Sequence, residues 1–233
     1  MNHTIKKLQI SCLIENNSSS DRLLHEHALS FHIKADNTTI LFDAGRTDAL
    51  LTNMKTLEIP PEFDRIVLSH SHYDHTGNLK EIVKINSKTS QVYVGDGFFV
   101  PKWKLQDGEY IYKGAPFTPE DLAECDAVLH IVKDEEVLIP GVMAIGNVSN
   151  DIASKFYLRT AEGYQPDRFR DEIFLVIDTV KGLVVITGCS HPGIFNIIDR
   201  VKKRLPGKKL HALLGGFHLK DLDWEATVEV GFR

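Results

Sequence analysis

The chain has 233 residues, of which 42% are hydrophobic and 25% are charged, a globular composition that excludes disordered, collagen-like and coiled-coil chains. Its 27 Lys and Arg residues against 32 Asp and Glu residues give a net charge of −5, so neither a nucleic-acid partner nor an anionic membrane is expected. No apolar run approaches the ~20 residues of a membrane span, and the N-terminus lacks the apolar stretch of a secretory signal.

Cysteine usage bears on the cellular setting. The three cysteines, Cys12, Cys125 and Cys189, are widely spaced and lie outside any C-x-x-C pattern. An odd number at such spacing does not indicate a disulfide scaffold, so we expect a cytoplasmic protein. The sequence does not indicate an oligomeric state.

Strand-like and helix-like segments alternate along the chain. Apolar patterning predicts strands over residues 4–14, 29–34, 38–43, 64–69, 90–94, 137–145 (two strands), 173–178, 183–187 and 210–215. Helical spacing predicts helices over residues 47–57 (with Thr47 as N-cap), 77–85, 119–125 and 194–205. The rest of residues 95–128 and of 146–170 is predicted to be irregular. This order favours one α+β domain over residues 1–233, with two sheets packed face to face and helices outside.

A cluster of metal-binding residue types follows the strand predicted over residues 64–69. His70, His72, Asp74 and His75 form an H-x-H-x-D-H pattern that leads into the next helix. His70 and His72 are two residues apart on an extended segment, so their side chains project to one side and can share a metal ion. Asp74 and His75 lie in the following turn and can face a second ion. Imidazole nitrogen and carboxylate oxygen suit zinc, and also iron or manganese.

Two further histidines follow predicted strands. His191 lies between the strand over residues 183–187 and the helix over 194–205, and His218 follows the strand over 210–215. Because the carboxyl ends of parallel strands meet at one edge, these loops are expected to build one site with the H-x-H-x-D-H loop. Cys189 leaves two interpretations open, a thiolate that ligates zinc or a small buried cysteine. The other histidines, Cys12 and Cys125 are expected to have surface or core roles.

These motifs resemble those of the metallo-β-lactamase superfamily, whose signature is the H-x-H-x-D-H loop. Residues 41–45 resemble its strand-end aspartate motif, in which the aspartate, here Asp43, supports the metal loop. Residues 66–77, 187–193 and 215–219 resemble the branch named for 7,8-dihydropterin-6-yl-methyl-4-(β-D-ribofuranosyl)aminobenzene 5′-phosphate synthase. The resemblance implies an αββα sandwich with a two-metal site, usually zinc, at one edge.

The resemblance also implies how the six motif residues divide between two metal ions: His70, His72 and His191 at the first, and Asp74, His75 and His218 at the second. Members of this branch continue beyond the motif around His218 with a loop that supplies another histidine, whereas this sequence reaches Arg233 without one. Two interpretations are open. Either the sandwich lacks its C-terminal elements, or the second metal site is incomplete.

The expected function is that of a metal-dependent enzyme, hydrolytic or group-transferring, that acts on a small molecule bearing a phosphate or an ester. Bound metal would lower the pKa of a water molecule toward ~7 and polarise a substrate oxygen. Asp74 is expected to orient that water and to accept its proton. The branch activity, which joins a pterin to an aminobenzene ribofuranosyl phosphate, is one candidate. Two alternatives are iron-dependent redox chemistry on the same fold and a non-catalytic remnant. Aromatic residues between positions 95 and 113 would suit a substrate wall or ordinary packing.

Overall fold

The computed structural model describes residues 3–18, 20–149 and 155–218. Fifteen strands are present in these residues: β1 (Leu8–Ile14), β2 (Ser30–Ala35), β3 (Thr38–Phe42), β4 (Arg65–Val67), β5 (Gln91–Gly95), β6 (Lys102–Gln106), β7 (Glu109–Tyr112), β8 (Val128–Val132), β9 (Glu135–Ile139), β10 (Val142–Ile145), β11 (Phe156–Thr160), β12 (Gly163–Pro166), β13 (Phe174–Thr179), β14 (Gly182–Thr187) and β15 (Leu210–Gly215). Five helices accompany them: α1 (Ala49–Thr56), α2 (Tyr73–Thr76), α3 (Leu79–Ile85), α4 (Pro119–Ala123) and α5 (Ile194–Arg204).

No helix in the described ranges is long and apolar enough to cross a membrane. The question of the C-terminal elements falls on residues 219–233, which lie outside the described residues.

The first sheet has the strand order β1-β2-β3-β4-β5-β8. β1, β2 and β3 pair antiparallel, whereas β3, β4, β5 and β8 run parallel. Helices α1 and α3 cover its outer face, where Leu50 and Ile82 are buried against Leu41 and Ile66. The apolar spacing that predicts these helices therefore corresponds to the side that packs on the sheet.

The second sheet has the strand order β15-β14-β13-β10-β9. β14 and β15 pair parallel and are connected through α5, and the other pairs are antiparallel. The predicted hairpin between β13 and β14 is present, with Thr179 opposite Gly182. Val201 of α5 is buried against Val185 on the outer face of this sheet.

A shared apolar core joins the inner faces of the two sheets. Ile33 and Ile40 of the first sheet lie in one cluster with Ile177 and Ile186 of the second, and all four are fully buried. With helices on both outer faces, the layers follow the order α, β, β, α. This is the α+β sandwich that the sequence predicts.

A third sheet, with the strand order β12-β11-β6-β7, corrects the expectation of irregular structure over much of residues 95–128 and 146–170. β8 was likewise not predicted. β7 and β12 contain no fully buried residue, so their sequences lack the apolar alternation that marks a strand. Aromatic pairs hold this sheet instead, such as the stacked rings of Tyr110 and Tyr164, whose centroids are 3.6 Å apart.

Two predicted helix starts also differ from the structure. The N-cap of α1 is Asp48 and not Thr47, which lies one residue earlier; the Thr47 hydroxyl donates to Glu26 and accepts from the backbone N–H of Ala49. The helix predicted from residue 77 begins at Leu79, after the separate turn of α2. The break lies at Asn78, whose backbone leaves the helical region with φ −100° and ψ 9°. Gly77 before it is a point of close packing, because a Cβ there would lie 2.3 Å from the carbonyl oxygen of Arg46. This close approach holds α2, which carries part of the H-x-H-x-D-H motif, against the end of β3.

A buried ion cluster connects the third sheet to the histidine motif. The Lys102 Nζ atom donates hydrogen bonds of 2.7 Å to Asp167 Oδ2 and to Asp171 Oδ1, and all three side chains are buried. Burial opposes the charge of Lys102, but the two carboxylates outweigh it and raise the lysine pKa. Asp171 Oδ2 accepts a 3.0 Å hydrogen bond from the backbone N–H of Ser71. The cluster therefore fixes the backbone between His70 and His72.

Replacing Lys102 should be strongly destabilising. Lys102→Met leaves two buried carboxylates without their cation, so we expect the free energy of unfolding to fall by about 3–5 kcal/mol. Urea denaturation followed by circular dichroism measures this. Lys104→Met is the matched control, because Lys104 lies on the same strand, is partly exposed and forms no ion pair within the described residues. Equal stability of the two variants would contradict the structural role of the cluster.

Candidate metal centre

The site lies where three loops follow parallel strands. Residues 68–76 follow β4, residues 188–193 connect β14 to α5, and residues 216–218 follow β15. The backbone carbonyl of Gly188 accepts a 2.7 Å hydrogen bond from the N–H of Gly216, which joins the second and third loops. A Cβ on Gly188 would lie 2.1 Å from Ser69 Oγ, so only glycine lets the second loop approach the first.

The structure brings the five predicted histidines together. The ring centroids of His70 lie 4.6 Å from His72, 4.4 Å from His75 and 5.0 Å from His191. The rings of His191 and His218 are 4.6 Å apart. Separations of this size allow several imidazoles to share a metal ion.

His70, His72 and His191 form one candidate ligand group. Their ligand atoms lie within 4.8 Å of one another. The Nε2 atom of each is buried and has no hydrogen-bond partner among the described residues. Burial, and then the neighbouring positive groups, lower the pKa of all three well below its usual value, so the rings are neutral. Neutral imidazoles with buried, unpartnered nitrogen atoms fit a metal ion, which requires deprotonated ligands.

Asp43 sets the orientation of two of these rings. Its Oδ2 atom lies 2.6 Å from His75 Nδ1 and accepts a 2.8 Å hydrogen bond from Ser69 Oγ. Since the Ser69 hydroxyl donates to Asp43, it accepts at 2.9 Å from His70 Nδ1. Nδ1 therefore carries a proton in both rings, so Nε2 is the nitrogen of each ring that is left for a ligand. This agrees with the supporting role that the resemblance implies for Asp43.

The second candidate group differs from the set that the resemblance implies. His75 Nε2 lies 3.6 Å from Asp74 Oδ2 and 3.2 Å from Cys189 Sγ. Within the described residues, ligand atoms of Cys189 group with His70 and His75, and also with His191 and His218. Asp74 belongs to neither of these tight groups, and His218 lies beside His191 and Cys189.

The ionisation of His75 and that of Cys189 depend on the contact between the two side chains. Burial lowers the pKa of His75, but Cys189 and then Asp43 outweigh it and raise that pKa well above its usual value. Burial raises the pKa of the Cys189 thiol, and His75 opposes this effect.

Two consecutive acidic residues that belong to none of the sequence motifs hold the histidine loops. Glu172 accepts hydrogen bonds from the backbone N–H groups of Ser190, at 2.6 Å, and His191, at 2.9 Å. Its neighbour Asp171 holds the first loop through Ser71. Burial raises the pKa of Glu172 to about 8, against the effect of these N–H groups. The sequence feature that could identify them is an acidic pair directly before the buried strand predicted over residues 173–178.

Aromatic rings line the cluster. They come from the second half of the chain and not from the stretch between positions 95 and 113. The Phe169 ring stacks on His191 with centroids 3.9 Å apart, and the Phe156 ring lies 4.7 Å from His72. Phe98, from the stretch between positions 95 and 113, is instead part of the core under the first sheet. His27, which was expected to have a surface or core role, places its Nε2 atom 3.4 Å from Asp74 Oδ2.

Comparison with known proteins agrees with this fold. The metallo-β-lactamase superfamily model matches residues 26–147, just over half of the chain. Among solved structures, the chain is similar to a metal-dependent hydrolase of the β-lactamase superfamily, with a TM-score of 0.80, 27% identity, and coverage of 96% of this chain and 82% of that one. It shares its fold with an N-acyl homoserine lactone lactonase, with a TM-score of 0.54, 14% identity, and coverage of 95% and 96%. The chain belongs to the metallo-β-lactamase superfamily.

A curated relative narrows the similarity within the superfamily. The chain is 33% identical over 219 residues to the 7,8-dihydropterin-6-methyl-4-(β-D-ribofuranosyl)-aminobenzene-5′-phosphate synthase of Methanocaldococcus jannaschii. The match covers 87% of this chain and 74% of that protein. This is the branch that the three strand-end motifs resemble.

Removing a histidine of the first group should remove metal without unfolding the protein. His70→Ala and His72→Ala each delete one of three nitrogen ligands, so we expect the tightly held metal to be lost. Elemental analysis after dialysis measures the metal, and circular dichroism checks folding. His130→Ala, whose ring stacks on Tyr93 away from the cluster, is the control and should keep its metal. Full occupancy in either cluster variant would show that the ligand set is wrong.

Asp43 should increase metal affinity indirectly, because it orients the histidines that bind the metal. Asp43→Asn keeps the shape but removes the charge that orients His75 and Ser69, and the loss of such a partner weakens metal binding by about 10–100-fold. Competition with a chelator measures the affinity. Asp178→Asn changes another buried carboxylate, one that is bonded to Lys208 and not to the cluster. The role assigned to Asp43 does not hold if both variants bind metal as tightly as the unchanged protein.

Proposed function

We propose that this protein is a metal-dependent enzyme that hydrolyses, or transfers a group from, a small molecule bearing a phosphate or an ester. The observation that carries the proposal is the convergence of three buried, neutral imidazoles whose Nε2 atoms have no partner among the described residues. Leaving three such atoms unsatisfied would cost about 1–3 kcal/mol each. A bound metal ion satisfies all three together.

Zinc is the metal that we propose, with iron or manganese as alternatives. Imidazole and thiol groups dominate the candidate donor set, and both suit zinc or iron. When bound, the metal supplies Lewis acidity and a water molecule of lowered pKa.

Asp74 is the proposed proton acceptor. Its side chain is about one-tenth exposed, and its Oδ2 atom faces His75 Nε2 at 3.6 Å and His27 Nε2 at 3.4 Å. A carboxylate in this position orients a water molecule at the centre and takes a proton onto Oδ2. The His27 side chain is 57% exposed, so it connects Asp74 to solvent and can carry that proton away.

The cations near the centre favour an anionic substrate. Arg46 and Lys113 lie 5.2 Å and 5.1 Å from the centroid of the Tyr73 ring, next to His72. Lys104 Nζ lies 5.4 Å from the ring centroid of Phe156, which contacts His72. None of the three forms an ion pair within the described ranges. Three unpaired cations in a chain of net charge −5 favour a phosphate group as the part of the substrate held there.

The relatives suggest where to look for the reaction. One is named as a hydrolase, and another as a synthase of a ribofuranosyl-aminobenzene phosphate. We propose a small-molecule substrate of this kind, without nucleic-acid or membrane partners, in the cytoplasm. A panel of phosphoesters and lactones, with the pterin-joining reaction included, tests the reaction class on protein of measured metal content. Metal-dependent turnover supports the proposal, whereas a metal-loaded protein inactive on the whole panel favours the non-catalytic remnant.

Asp74→Asn should separate turnover from binding. The amide keeps the shape of the side chain but cannot accept a proton, so kcat should fall by about 10²–10⁴-fold while KM changes little. Steady-state kinetics on the substrate found by the panel measure both constants. Asp126→Asn, an exposed carboxylate in a turn outside the metal centre, is the control. An effect of Asp74→Asn confined to KM would indicate that Asp74 binds substrate instead.

A further inference from the structure

Cys189 occupies a position that the resemblance leaves without a role. It follows β14 and precedes His191 by two residues, and its Sγ atom lies 3.2 Å from His75 Nε2. We propose that Cys189 binds metal as a thiolate together with His75. This inference rests on the proposed metal-dependent function and assigns the chemical character of its second ligand group.

The orientation of His75 is the first support. Its Nδ1 atom is held by Asp43 at 2.6 Å, so Nε2 is the nitrogen that remains for a ligand, and Nε2 faces Cys189. Zn–N and Zn–S bonds of about 2.0 and 2.3 Å at a tetrahedral angle place the two donor atoms about 3.5 Å apart. The 3.2 Å separation is close to this value. Little movement is needed for one ion to bind both atoms.

A second observation, separate from the contact between Cys189 and His75, is the neighbouring His70. Its ligand atom lies within 4.8 Å of those of His75 and Cys189. The His70 side chain is fully buried, and its Nε2 atom has no hydrogen-bond partner in the part of the chain that the structure describes. Cys189 therefore lies in a cluster that already contains an unsatisfied nitrogen atom.

The surroundings of Cys189 differ from those of the other two cysteines. Cys125 packs against the apolar core under the first sheet, and Cys12 is exposed with its thiol 3.6 Å from the carbonyl oxygen of Ile14. Cys189 lies among imidazole rings, which do not form an apolar packing site. The glycines at positions 188 and 216 bring its loop against the histidine loop, as described above.

A thiolate makes the two ligand groups chemically unequal. The first contains imidazole nitrogens alone, whereas Cys189 adds a sulfur atom to the second. Sulfur ligands select zinc or iron over magnesium, calcium or manganese. On binding a divalent ion, the Cys189 S–H bond breaks, a sulfur–metal bond forms and the proton leaves to the buffer, with no change of oxidation state.

Cobalt(II) provides the test, because thiolate-to-cobalt charge transfer gives a near-ultraviolet band that nitrogen and oxygen ligands do not give. Metal-free full-length protein is titrated with Co²⁺ alone. We expect the band in the unchanged protein, in Cys12→Ser and in Cys125→Ser, and its complete loss in Cys189→Ser while the visible bands of bound cobalt remain. The zinc affinity of Cys189→Ser should fall by about tenfold or more.

The possible results separate this inference from the proposed function. Visible cobalt bands without the near-ultraviolet band in the unchanged protein would overturn the assignment of Cys189 and leave the metal centre intact. Failure of the unchanged protein to bind cobalt or zinc would overturn the metal-dependent function itself. The sequence contains three cysteines, so a band that survives both control substitutions assigns the thiolate to Cys189 even if Cys189→Ser does not fold.

Discussion

The metal centre depends on buried carboxylates that fix the loops carrying the histidines. Asp43 orients His75 directly and His70 through Ser69, and Asp171 and Glu172 hold the backbone on either side of the cluster. Each carboxylate is buried, so these hydrogen bonds act in a low dielectric where they are strong. Without these hydrogen bonds, nothing would fix the loops from distant parts of the chain that carry the imidazole rings relative to one another.

The cluster contains buried imidazole nitrogen atoms that lack hydrogen-bond partners among the described residues, and a bound metal ion would provide the missing interaction. The fold satisfies the Nδ1 atom of His70 and leaves the Nε2 atoms of His70, His72 and His191 buried without a hydrogen-bond partner among the described residues. Neutral imidazoles so close together, buried and unsatisfied, are costly in an apolar environment. The cost is the preorganisation expected of a site that receives a cation, and the aromatic rings of Phe156 and Phe169 limit the access of water to it.

The sequence alone predicts those parts of the site that local motifs encode. His70, His72, Asp74 and His75 stand within six residues after a buried strand, so their grouping was predictable, and the strand-end positions of His191 and His218 brought them in through sheet topology. The contact between Asp171 and Ser71 spans 100 residues and leaves no local pattern. The third sheet was missed because its edge strands β7 and β12 contain no fully buried residue and so lack the alternation of a half-buried strand. The sequence does not distinguish Lys102 from a surface lysine, because its two carboxylate partners, Asp167 and Asp171, are distant along the chain.

The central claim is that His70, His72 and His191 hold a metal ion, and anomalous diffraction tests it most directly. Crystals of protein purified without chelator would be measured on both sides of the absorption edge of the metal that elemental analysis finds. The account predicts an anomalous peak between the three rings, about 2.0–2.1 Å from the ligating nitrogen atoms. Water molecules in place of that peak, in crystals soaked with zinc, would contradict it.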